Sequence, residues 1–178
     1  MWPDLLAASQ AEAAKTIDEP VLTGIFSQDV GLGIKCPTDY LFTFASATGK
    51  GVGVWLQATT PPVVTRTEVH ASTPDLPIDL SPDELLRLRE AVSAMKYGPT
   101  EICGVVLAEA EGYKKGPEIK LYLDEELEQA NGKSEELELR WTVWYLVGPG
   151  SIKSVLVSSR TGEIVDRRYF DRAPTATP

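Results

Sequence analysis

The chain is short of the residues that most often announce chemistry. It has one histidine, His70, and two cysteines, Cys36 and Cys103, in 178 residues. Two cysteines cannot build a disulfide scaffold, and a zinc ribbon needs more thiolate or imidazole ligands than the chain holds. Two states stay open: one disulfide in an oxidising compartment, or two free thiols in the cytosol. Basic residues are outnumbered, 17 Lys and Arg against 26 Asp and Glu, for a formal net charge of −9. Such a chain is repelled by nucleic-acid phosphates and anionic membrane surfaces, so no nucleic-acid partner is expected. A basic protein partner is compatible with the charge. No segment approaches the ~20 apolar residues of a membrane span, so no membrane insertion is expected. No leader is visible either. Asp4 follows Met1 closely, no Lys or Arg precedes Lys15, and Leu5–Ala8 is too short for an apolar leader core. As given the chain reads as soluble and cytoplasmic, or as extracytoplasmic if a leader has been removed.

Phosphate-binding loops are missing too. Gly31-Leu32-Gly33 lacks the third glycine of a dinucleotide fingerprint. In Gly49-Lys50-Gly51-Val52-Gly53 the lysine is followed by glycine, not Ser or Thr. Both read as turns. A calcium loop alternates its oxygen ligands and turns at an internal glycine. Asp124-Glu125-Glu126 with Glu128 has Leu127 between them and no such glycine, and reads as a solvated acidic helix or loop. No cofactor and no metal are expected. A catalytic reading would pair His70 as base with Cys36 or Cys103 as nucleophile. Against it, His70 reads as an exposed residue beside a proline-rich linker. Cys103 falls in an apolar run where a thiol is an inert small hydrophobe.

What is present is periodicity. Trp141–Phe170 reads as three strands: Trp141, Val143, Tyr145 and Val147 alternate with Thr142, Trp144 and Leu146, and Gly148-Pro149-Gly150 and Thr161-Gly162 supply turns. Earlier, strands are expected at 40–46, 52–59 and 63–69, after a helix at 2–17 and a strand at 21–26. The helix carries Trp2, Leu5, Leu6, Ser9, Ala13 and Ile17 on one face. A second helix opens at Ser81 with three start signals: Ser81 as N-cap, Pro82 at the first helical position and Glu84 to close a capping box. Its stripe is Leu85, Leu88, Val92 and Met95, and Gly98-Pro99 ends it. Ile102–Leu107 reads as a strand. Residues 108–139 hold ten acidic residues against four Lys, and Ile119–Leu123 fits an additional strand among them.

A shift of 101 residues aligns the two hairpin regions: Tyr40 meets Trp141, Phe42 meets Val143, Val54 meets Val155, and Arg66 meets Arg167. A shift of 80 aligns the front halves, Leu22–Phe26 with Ile102–Val106. The difference is a 21-residue insertion within 108–139. The expected fold is α+β with two repeated units, each a helix packed on an antiparallel meander sheet. The first unit spans 1–70 and the second 81–170 with the acidic insertion, joined by a linker at 71–80 and followed by a tail at 171–178.

The helix Ser81–Met95, the strand Trp141–Val147 and the strand-turn-strand Val155–Val165 with Thr161-Gly162-Glu163-Ile164 at its tip resemble PepSY-like, cystatin-related α+β modules. Ser158-Ser159-Arg160 departs from the Asp-Ala step of that pattern, and the first copy has Thr60-Pro61-Pro62 in place of Thr-Gly-Glu. The aromatic strand and Thr-Gly hairpin also resemble some small bacterial immunity proteins. Either resemblance implies a binding or inhibitory module with a protein partner, not a catalyst.

Three readings follow. The first is a non-catalytic, PepSY-like tandem binding module. The second is a cytosolic immunity protein that neutralises a toxin through its acidic insertion. The third is an enzyme using Cys36 or a carboxylate pair between the units. The candidate contact residues are Trp55 and Trp144 as interface anchors, Asp124, Glu125, Glu126 and Glu128 as the acidic surface, and Arg167 and Arg168 as a basic patch beside Tyr169 and Phe170.

Overall fold

The computed structural model describes residues 2–27, 36–71, 80–109, 120–127, 137–148 and 151–171. Among them are three helices and eight strands: α1 Trp2–Ala13, β1 Val21–Ser27, β2 Asp39–Ala45, β3 Lys50–Gln57, β4 Val63–Ala71, α2 Pro82–Ser93, α3 Pro99–Glu109, β5 Lys120–Leu127, β6 Leu137–Gly148, β7 Ser151–Ser158 and β8 Ile164–Asp171. The protein is α+β, and its strands form one antiparallel sheet in the order β4-β3-β2-β1-β5-β6-β7-β8. The linker expected at 71–80 and the tail at 171–178 lie almost wholly outside the described residues.

The helices follow from their local signals with one exception. In α1 the stripe Trp2, Leu5, Ser9 and Ala13 is buried, and Ile17 is buried in the turn beyond the helix end. In α2 the capping box forms as expected. The Glu84 amide donates to Ser81 Oγ at 3.3 Å, and the Ser81 amide donates to Glu84 Oε2 at 2.7 Å. Leu85, Leu88, Val92 and Met95 are buried. The exception is Ile102–Leu107, expected as a strand and found inside α3. A continuous short apolar run suits a buried helix as well as a buried strand. The signal that separates them is Pro99, which ends the previous segment and also starts this helix at its first position.

The correction to α3 removes the offset of 80, since Leu22–Phe26 is strand and Ile102–Val106 is helix. The offset of 101 behaves differently. Tyr40 stands opposite Leu56 and Phe42 opposite Val54. Trp141 stands opposite Val157 and Val143 opposite Val155, the same pairs 101 residues on. A bulge interrupts β3–β4 between Trp55 and Leu56 and another interrupts β7–β8 between Leu156 and Val157. At the outer strands the offset is 100, not 101. Trp55 faces Arg66 while Leu156 faces Asp166, so Arg66 corresponds to Asp166 and not to Arg167. The helices do not follow the correspondence: α1 packs on β3 and β4, whereas α2 packs on β1 and β6.

The core lies between the helices and one face of the sheet. Tyr40, Phe42, Val54, Leu56, Trp141, Val143, Val155 and Val157 line that face. Trp2 of α1 stacks on Phe42 with ring centroids 6.4 Å apart. The Trp141 Nε1–H donates to the Tyr97 carbonyl at 3.0 Å, satisfying a buried donor. Thr67 Oγ1 donates to Glu12 Oε1 at 3.3 Å and ties α1 to the edge strand β4. A disulfide joins Cys36, just before β2, to the buried Cys103 of α3 across 67 residues of sequence.

Candidate binding face

The functional site is built from the sheet face opposite the helices. In antiparallel strands, residues directly opposite one another share a face. One register row crosses all eight strands: Arg66, Trp55, Leu41, Phe26, Tyr122, Thr142, Leu156 and Asp166. Its neighbours one residue along, Phe42 and Val143, are buried against the helices, so the row lies on the other face. In the first half of the sheet Phe26, Leu41 and Trp55 are half-buried and Arg66 is exposed. In the second half Thr142 is half-buried and Leu156 is buried.

Two glycines shape this face. A Cβ on Gly53 would meet Leu41, Trp55 and His70 side chains at 3.1–3.2 Å. A Cβ on Gly24 would meet the Phe26 ring and Thr43 Oγ1 at 2.9 Å. The missing side chains give the Trp55 and Phe26 rings room to lie across the neighbouring backbone, the usual pairing of aromatics with strand glycines. The Arg66 guanidinium sits 4.8 Å from the Trp55 ring centroid and also pairs with Glu68 on the same strand face. A cation over an indole face is attracted by the ring quadrupole. The result is an apolar stripe ending in a held guanidinium.

Of the candidate residues read from sequence, Trp55 belongs to this face, and the register sets Trp144, Asp124 and Glu126 in phase with its row members Thr142 and Tyr122. Trp144 lies on β6 opposite Lys120 and Ser154. Asp124, Glu125 and Glu126 lie on strand β5 opposite Arg140, Leu139 and Glu138. They are therefore strand residues and not the solvated helix or loop expected. Glu128 lies outside the described residues. Arg167, which is exposed, and Arg168 are on β8, the far edge of the sheet. Six strand spacings separate β3 from β8, about 29 Å, so Trp55 and Arg167 do not share one contact patch. β8 stands three spacings from β5, about 14 Å, so the arginines do not adjoin the acidic strand. The sequence reading missed Phe26, Leu41 and Arg66 as members of the face. Their period-two positions are visible in the sequence, but their common row is not.

A second concavity lies on the helix side. A cleft of about 260 Å³ between α1 and α2 is lined by Leu6, Pro20, Val21, Leu22 and Val92, with Gln10, Arg89 and Ser93 among its polar lining. Arg89 pairs with Glu19 at 2.7 Å. Glu19 lies in the connection between α1 and β1, so this exposed pair ties α2 to that connection.

The nucleophile reading fails on geometry. The Cys36 and Cys103 sulfurs are bonded to each other, so neither is available as a thiolate while the bridge is intact. His70, expected in an exposed linker position, sits half-buried on β4 opposite Gly51. Among the described residues no group of three His, Cys, Asp or Glu side chains is placed to hold a metal ion. Among them, too, no helix is long and apolar enough to cross a membrane.

No family model and no curated protein matches the chain. A solved structure does share its fold. The crystal structure of a protein described as a candidate lipoprotein from Clostridium difficile 630 superposes with a TM-score of 0.58 at 11% identity, covering 93% of this chain and 92% of that one. At that identity the likeness concerns the fold alone.

Proposed function

We propose that the protein is a non-catalytic, extracytoplasmic protein-binding module that holds its partner on the helix-free sheet face. The observation that carries this reading is the row Phe26–Leu41–Trp55–Arg66. It combines a half-buried aromatic anchor, flanking apolar groups and an arginine, the composition enriched at the centre of protein interfaces. The Cys36–Cys103 disulfide supports an oxidising compartment, and the lipoprotein description of the structural neighbour agrees with it. In this reading the meanders β2–β4 and β6–β8 are two copies of one PepSY-like, cystatin-related unit, supported by the shared register and the matching bulges.

The immunity reading draws on the net charge of −9 and on the acidic run in β5. Salt separates the two. A contact carried by charge weakens steeply as the Debye length shrinks, while one carried by Trp55 and Leu41 does not.

The test is capture of a partner from native envelope extract with the wild-type protein, followed by measured affinity for Trp55→Ala, Arg66→Ala and Leu86→Ser. Leu86 is exposed on α2, on the helix side. Loss of about 2 kcal/mol is expected for Trp55→Ala, as for an interface hot spot, with Leu86→Ser unchanged. Full affinity in Trp55→Ala sinks the reading.

A further inference from the structure

The exposed large apolar side chains are unevenly placed. Of four among the described residues, Val63 and Val69 are on β4 and Val165 is on β8, the two outermost of the described strands. An open edge with a row of unpaired backbone groups is a template for another strand. We propose that β4 is the interface through which a second copy of this chain docks, the two β4 strands pairing antiparallel about Thr67.

The charges of β4 select that partner and that register. Arg66 and Glu68 stand opposite Trp55 and Gly53, two residues of the same face. Pairing about Thr67 sets Arg66 of each copy directly opposite Glu68 of the other, on both sides of the two-fold axis. Shifting the centre to Arg66 sets two arginines face to face, and shifting it to Glu68 sets two glutamates face to face. Centres between residues pair opposite faces, which carries the apolar face of one copy onto the open face of the other. Opposite charges directly across strands stabilise and like charges destabilise, so one register is singled out. On β8, centres at Asp166, Arg167 or Arg168 each place a residue against its own like charge, and opposite charges meet only about Tyr169, where Arg167 faces Asp171 at the last residue of the strand. The fold already uses this kind of joint, since its two half-sheets meet antiparallel at β1 and β5 through Phe26 and Tyr122.

The net charge of −9 on each copy opposes association, but at physiological salt charges more than ~8 Å apart are largely screened. A two-fold contact through one strand is closed, giving a dimer and not a filament. Both helix-free faces would then lie on the same side of a joined sheet, with the two β3 strands three spacings apart, about 14 Å.

Sedimentation velocity of the purified protein over a range of concentrations tests this, with no other protein present, so its outcome leaves the partner-binding reading untouched. Wild type is expected to sediment as a dimer. Arg66→Glu and Glu68→Arg should each weaken the dimer about tenfold or more, because each creates two like-charge pairs. The double variant Arg66→Glu/Glu68→Arg should restore it. Circular dichroism of each variant separates dissociation from unfolding. A wild-type monomer at every concentration overturns the proposal. So does open-ended polymer, or a natively folded double variant as weak as the singles.

Discussion

Trp55 and Trp141 are the same residue type on opposite faces of the sheet, and their surroundings assign them opposite tasks. Trp141 is fully buried and its indole N–H is bonded. Trp55 is half-buried beneath a guanidinium. Trp141→Ala should cost about 3–5 kcal/mol of stability, as for a large core truncation, read as a lower denaturation midpoint. Trp55→Ala should cost clearly less stability. Glu84 makes a pH-dependent case at the same scale. Hydrogen bonds from the Ser81 side chain and backbone hold its carboxyl below the ordinary value of 4.5. A depressed carboxylate stabilises the fold above its unfolded pKa, and that contribution is lost as pH falls through the lower folded value. The gap in melting temperature between wild type and Glu84→Gln should therefore be largest near neutral pH and close as the solution is acidified. A gap that stays constant from pH 7 to pH 3 would contradict the capping account. Glu12, lowered chiefly by its hydrogen bond from Lys15, shifts in the same direction.

Among the elements, the meanders are legible in the sequence and the third helix is not. Alternation in Asp39–Ala45 and Leu137–Gly148 fixes which side of each strand is buried, and Gly49 and Gly162 mark turns with positive φ. Ile102–Leu107 carries no alternation: Ile102, Cys103 and Val106 are buried, and the exposed side of the turn is a glycine, Gly104, which does not mark a polar face in the sequence. β5 is legible in its first half, where Ile119–Leu123 fits a strand, while acidic residues on both strand faces at 124–126 hide its continuation to Leu127. Gly162 offers a test of the hairpin. Its φ is 73°, and an added Cβ would meet the Tyr97 ring at 2.8 Å. Gly162→Ala therefore combines a left-handed backbone penalty of ~1 kcal/mol or more with displacement of Tyr97. Chemical denaturation should show a loss above that of an ordinary surface glycine.

For the whole molecule, the decisive feature is that the strands of both halves make one sheet. The row from Arg66 to Asp166 depends on β1 meeting β5, segments 96 residues apart at Phe26 and Tyr122. No local pattern encodes that meeting, which is why the sequence shows the anchor Trp55 without showing the face it belongs to. The disulfide acts at the same scale, closing 67 residues between β2 and α3. Its removal by Cys36→Ser with Cys103→Ser should cost about 2–4 kcal/mol of stability, and reductant should destabilise wild type but not the double variant. The central claim is that the helix-free face is where a partner sits. The most direct measurement places a photo-crosslinking side chain at Gln57, exposed and in phase with Trp55 on β3, and in a second protein at Leu86 on α2. Partner adducts from position 57 and none from position 86 are predicted. Adducts from position 86 with none from position 57 would contradict it.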